Sequence, residues 1–132
     1  EALELGADEA LNTRDPDTLK NAINRFDLIL STVNVKLDWN LFIATLRPKG
    51  RLHFVGATLA PLDVDVFPLI SAQRTISGSP VGSPAAIKTM LAFAERHHIK
   101  PIVEVFRFDQ VNEALARLAS GNARYRIVLS NQ

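Results

Sequence analysis

The chain has 132 residues, one domain's worth at roughly 150 residues per domain, and its 15 Lys plus Arg against 14 Asp plus Glu leave a net charge of +1. That balance excludes a polybasic surface for nucleic acid and an acidic tail, 47% apolar residues exclude disorder, and no apolar run approaches the ~20 residues of a membrane-spanning helix. Cysteine is absent, which excludes disulfides, a thiolate nucleophile and thiolate-built metal sites within these residues and suits a cytoplasmic protein.

Glu1 to Leu5 followed by Gly6 reads as the last turn of a helix with a glycine C-cap, so the chain is expected to be a piece of a longer protein. Residues 9–13 are a weak strand candidate. Asp15-Pro16 reads as an N-cap with proline at the first helical position, opening a short helix whose Leu19, Ala22, Ile23 and Phe26 share one face. The unalternating run Phe26 to Leu30 has the look of a parallel strand covered on both faces. Asp38 then caps a second helix with Trp39, Phe42, Ile43 and Leu46 on one stripe, and Arg47-Pro48-Lys49-Gly50 stops it.

Residues 52–55 form the next strand, ending in Gly56-Ala57. Leu62, Val64 and Val66 alternate with Asp63 and Asp65, the pattern of a half-exposed edge strand. A short helix over residues 67–73 and a strand over 74–79 follow. Ser83-Pro84 opens a helix reaching about His97, with Ile87, Met90, Leu91 and Ala94 along one stripe. Residues 102–106 read as a strand, Asp109 as the cap of a helix carrying Val111, Leu115 and Leu118, and residues 125–129 as the closing strand. Alternating strands and helices imply α/β architecture with a parallel sheet.

Few residues announce chemistry. His97 and His98 are adjacent, about 100° apart on a helix, which suits a solvated C-terminus rather than a metal pair. His53 is either a core or edge histidine or a general base, and no motif ties a partner to it. Residues 77–84 (SGSPVGSP) are a plain loop or a ligand-approaching one. Ser31-Thr32-Val33 and Val55-Gly56-Ala57 end two other strands with small or hydroxylated residues, and open parallel sheets bind ligands beyond such ends. Arg124 and Arg126 are surface arginines or a phosphate clamp.

Taken together, the segments 26–33, 46–56, 76–83 and 111–128, with Ala123-Arg124-Tyr125-Arg126-Ile127-Val128 the most specific, resemble the zinc-containing medium-chain alcohol dehydrogenases. Within that family the resemblance is to the cinnamyl-alcohol-dehydrogenase-like branch, which includes bacterial NADP-dependent aldehyde reductases. It implies an incomplete Rossmann-type doubly wound sheet over residues 1–99, without its first two strands, and a segment 100–132 returning to the catalytic domain. The implied reaction is hydride transfer between NADPH and an aldehyde, with zinc polarising the carbonyl oxygen.

By resemblance, Thr32 and Val33 lie beside the cofactor, Val55, Gly56 and Ala57 line its nicotinamide side, Ser79, Pro80 and Val81 meet the carboxamide, and Arg126 reaches the pyrophosphate. Leu62 to Val66 is implied to join two subunits of a homodimer. No catalytic residue and no zinc ligand carries over, so the chain by itself is expected to be inactive, to bind little NADPH and to be unstable as an independent unit. A nucleotide-binding or interaction module without catalysis and a zinc-free quinone-reductase-like relative are the alternatives.

Overall fold

The computed structural model describes residues 1–131, apart from the Pro16 side chain, and divides them into two compact units, one over residues 1–81 and one from residue 82 onward.

In the first unit, Gly6 at φ +98° closes a single helical turn, with the Leu5 amide bonded to the Glu1 carbonyl and that of Ala7 to Ala2. Helix α1 spans Pro16–Lys20, shorter than its apolar face suggests. Asp15 caps it as expected, accepting from the Asp17 amide at 3.1 Å. Leu19 and Ala22 are buried, whereas Ile23 is exposed. Strand β1 (Phe26–Ser31), helix α2 (Trp39–Thr45), strand β2 (Leu46–Phe54), helix α3 (Phe67–Ala72) and strand β3 (Thr75–Gly78) complete the unit. The strands are parallel in the order β1-β2-β3.

Asp38 caps α2, accepting from the amides of Asn40 and Leu41 at 3.2 and 3.4 Å. The helix buries Trp39 and Ile43 against Leu46 and Leu52, and Phe26, Ile29, Phe54, Leu69 and Ile76 pack around them. Trp39 meets Phe54 edge-on, ring centroids 4.8 Å apart. The core therefore lies on the face of the sheet that carries Ile29, Leu52 and Ile76.

Four expectations need correction here. Residues 9–13 form no strand; Glu9 instead pairs with Arg25, and a lone segment without a ladder partner has nothing to hold it extended. The 26–30 run is not covered on both faces within this unit: Leu28 and Leu30 remain 59% and 56% exposed, because α2 and α3 pack on the other face. Residues 47–50 do not follow the helix as a separate stop but belong to β2. Phe26 pairs with Leu46 and Leu28 with Arg51, so the intervening stretch, with Lys49 at φ +65°, bulges out of the ladder. Lastly, Leu62 to Val66 form no strand. Their backbone is held by a side chain: the Asn40 amide donates to the Asp63 carbonyl at 3.2 Å and accepts from the Asp65 N–H at 2.9 Å.

The second unit holds helix α4 (Pro84–Arg96), strand β4 (Val103–Arg107), a 3-10 turn at Phe108–Gln110, helix α5 (Val111–Ala119) and strand β5 (Arg126–Ser130). Strands β4 and β5 are parallel, as a crossover through α5 requires. Ser83 caps α4 through the Ala86 amide at 3.2 Å. Ile87, Met90 and Leu91, the expected apolar stripe of α4, are exposed. Asp109 does not cap α5: it binds the Arg107 guanidinium at 3.0 and 3.1 Å, and the 3-10 turn occupies the entry to the helix. Glu104 accepts from Arg117 Nε and Nη2, at 2.9 and 3.1 Å, and from the Arg124 amide at 2.7 Å, tying β4 to α5 and to the approach of β5. These bonds, the Arg117 pair first, hold its carboxyl below the usual glutamate range.

Candidate functional site: the carboxyl edge of the first sheet

Parallel pairing sets the site. Ser31 lies opposite Phe54, and Phe54 opposite Gly78, so the residues that follow each strand leave the sheet at one edge. Thr32-Val33, Val55-Gly56-Ala57 and Ser79 are those residues. The Ser31 carbonyl accepts from the amides of Val55 and Gly56, at 3.0 and 3.1 Å, and the Phe54 carbonyl accepts from Ser79 at 3.1 Å. The three exits are thus latched side by side by backbone bonds that continue the ladder for one step past its end.

Gly56 is required there by proximity. A Cβ on it would lie 2.5 Å from the Thr32 carbonyl carbon and 2.8 Å from the Val33 oxygen. Only hydrogen fits between the β1 and β2 exits. The Ser31 hydroxyl, just inside the edge, is buried and lacks a hydrogen-bond partner among the described residues. Between the β2 and β3 ends and the loop that follows Gly56 runs a groove of about 470 Å³, walled by Phe54, Ala57, Pro61, Leu62 and Ile76. Pro80 and Val81 continue outward from Ser79, with Val81 91% exposed.

One arrangement at this edge escaped the sequence reading. His53 faces away from the α2 core and bonds two serines of the neighbouring strand and its exit. Its Nδ1 is 2.9 Å from Ser77 Oγ, and its Nε2 is 3.0 Å from Ser79 Oγ. The signal was present in principle as two serines one strand period apart, but their alignment with His53 depends on register across 24 residues. The Asn40 clip and the Glu104 cluster escaped for the same reason.

Of the nine residues expected to contact the cofactor, eight lie in the first unit: Thr32, Val33, Val55, Gly56, Ala57, Ser79, Pro80 and Val81. Arg126 heads β5 in the second unit, exposed, opposite Val103. His97 ends α4 with its ring centroid 4.2 Å from that of Phe93. Among the described residues no three His, Cys, Asp or Glu side chains gather as metal ligands, and no helix is long and apolar enough to cross a membrane.

Comparison with known proteins gives one consistent result. The family described as zinc-binding dehydrogenase matches residues 1–96. An aldehyde reductase of Synechocystis is 60% identical over 99% of this chain and 39% of its own length. An NADP-dependent alcohol dehydrogenase of Mycolicibacterium smegmatis is 35% identical, over 98% and 37% respectively. Among solved structures, a cinnamyl alcohol dehydrogenase of Sorghum bicolor matches 97% of the chain with a TM-score of 0.89 and 34% identity, over 36% of its own chain. The chain spans less than two fifths of the length of each.

Proposed function

The chain belongs to the zinc-binding dehydrogenase family, and on that premise we propose that it is part of an NADP(H)-dependent alcohol dehydrogenase that reduces aldehydes. The observation carrying the proposal is the juxtaposition of Thr32-Val33, Val55-Gly56-Ala57 and Ser79 at the carboxyl edge of a parallel sheet. That edge is where open α/β sheets receive nucleotides. Its residues fit such a group. They are small or hydroxylated, they present backbone, and Gly56 draws two exits together without a side chain between them.

In this reading Thr32, Val33, Val55, Gly56 and Ala57 flank the nicotinamide, Ser79, Pro80 and Val81 receive its carboxamide through backbone groups, and Arg126 binds the pyrophosphate. NADPH, when bound, supplies the hydride that reduces the aldehyde carbonyl. The chain's own part is to bind and orient the ring and to keep water from one side of it. The donor set does not fit zinc: cysteine is absent and the described acids and histidines do not converge. No step is therefore derived through zinc from these residues, and none of them is given a proton-transfer role.

Residues 1–99 are proposed to belong to the dinucleotide-binding domain, and 100–132 to the catalytic one, in a cytoplasmic enzyme. Leu62 to Val66, held by Asn40 at Asp63 and Asp65, are proposed to join the same segment of a second copy. The names of the relatives support the substrate class and the cofactor: aldehyde reductase for one, NADP-dependent alcohol dehydrogenase for another. The test is NADPH consumption by the full-length protein with a panel of aldehydes. Aldehyde-dependent oxidation, faster with NADPH than with NADH, is the expected result. A full-length protein that binds neither nucleotide overturns the proposal.

A further inference from the structure

We infer that His53 is a positioning residue for the cofactor edge, its ring orienting Ser79 and with it the β3 exit toward the nicotinamide. The inference rests on the dehydrogenase reading above. It starts from the two serine bonds of one ring, at 2.9 Å to Ser77 and 3.0 Å to Ser79. Ser77 lies inside β3, directly across from His53. Ser79 is past the end of the strand, where no ladder holds the side chain. Its backbone N–H is bonded to Phe54 and its hydroxyl to His53, so two consecutive residues of β2 fix one residue at both ends. Pro80 and Val81, which continue from it, inherit that placement.

The chemistry of the ring makes the bridge more than a strand tie. A neutral imidazole offers one N–H donor and one acceptor nitrogen. The ring can therefore donate to one serine only while accepting from the other. Whichever way it runs, half of the Ser79 hydroxyl is committed to the ring and the other half is turned outward, toward solvent or a ligand. An aliphatic residue at position 53 leaves that hydroxyl free to rotate.

Side-chain substitutions separate this role from simple support. In the full-length protein, His53→Asn places its amide near the Nδ1 position and reaches Ser77, whereas His53→Gln extends to the Nε2 position and reaches Ser79. KM for NADPH is expected to rise about fivefold in His53→Asn and in Ser79→Ala, the value of one ordinary hydrogen bond. His53→Gln is expected to stay near the wild-type value, with the KM for aldehyde unchanged in all three. The double variant His53→Asn/Ser79→Ala is expected to match Ser79→Ala alone, since both act through one bond. Because Ser79 is exposed, its alanine variant folds even if a change at His53 does not. Equal KM values for His53→Asn and His53→Gln, or a lower unfolding midpoint with no change in KM, overturn the inference while wild-type NADPH binding leaves the dehydrogenase reading intact. A wild-type protein that binds no NADPH overturns both.

Discussion

Gly56→Ala sets two effects of opposite sign against each other. Replacing glycine by alanine restricts the unfolded chain and, where the native backbone admits the methyl, stabilises by about 0.4–1 kcal/mol. The backbone of Gly56 is not in the left-handed region, so conformation alone does not forbid alanine. Space does. The new methyl would lie 2.5 Å from the Thr32 carbonyl carbon, 2.6 Å from its oxygen and 2.8 Å from the Val33 oxygen. All three are backbone atoms of the adjoining exit, with no flexible side chain to swing aside. To reach ordinary contact one exit has to withdraw by about 0.9 Å, the difference between 3.4 and 2.5 Å. That movement strains the two hydrogen bonds that the Val55 and Gly56 amides donate to the Ser31 carbonyl. Overpacking of this kind costs about 1–3 kcal/mol, so the net expectation is a loss of about 1–2 kcal/mol. At fixed scan rate the full-length protein should show a thermal midpoint lower by a few degrees, and NADPH should bind more weakly because Thr32 and Val33 are displaced. A midpoint that stays level or rises refutes the close approach on which the site description depends.

Two further changes probe the scaffold, one in each unit. Asp38→Ala removes the acceptor for the amides of Asn40 and Leu41 at the start of α2 and should cost about 1 kcal/mol, while Asp38→Asn should cost little; denaturant midpoints distinguish them, and equal losses would place the effect outside the cap. Glu104→Gln tests the second unit through pH. The Glu104 carboxyl is held below its usual value by Arg117 and then by the Arg124 amide, so it binds fewer protons when folded. Its contribution is complete above the ordinary glutamate value of about 4.3 and is lost as pH falls through the depressed native one. The wild-type midpoint should therefore drop more steeply below about pH 4.5 than that of the variant; parallel profiles would show that the cluster does not act through this charge.

Local signals carried most of the element order. Asp15 and Asp38 each accept an amide at the start of the helix they were expected to cap, and Ser83 does so at the helix it was expected to open, because a capping side chain and its target lie within three residues. Of the stripe Trp39, Phe42, Ile43 and Leu46, Phe42 is partly buried and the other three are buried, Leu46 from the first position of β2. Patterns needing a partner from elsewhere fared differently. Residues 9–13 and 62–66 have the alternation or composition of strands, yet a strand exists only in a ladder, and none meets these segments among the described residues. Asp109 looks like a cap, but Arg107 two residues earlier offers a guanidinium at 3.0 Å and takes the carboxylate away from the helix.

The candidate site divides along the same line. Its small residues were legible because each follows a strand directly, and strand ends can be read one at a time. What joins them was not. That Gly56 touches Thr32, and that His53 lies between Ser77 and Ser79, follows from the offset at which β1, β2 and β3 pair. The offset is set in part where no periodic pattern shows it. The 47–50 bulge lets Leu28 meet Arg51 after Phe26 has met Leu46, and Arg74, donating to the Leu46 carbonyl at 2.7 and 3.0 Å, anchors the entry of β3 to the entry of β2. A slip of one residue at either point would turn His53 toward Trp39 and the serines toward the core, since successive strand residues face opposite sides. The edge thus depends on residues at the far end of the sheet, and Arg74 belongs to its construction as much as Ser79 does.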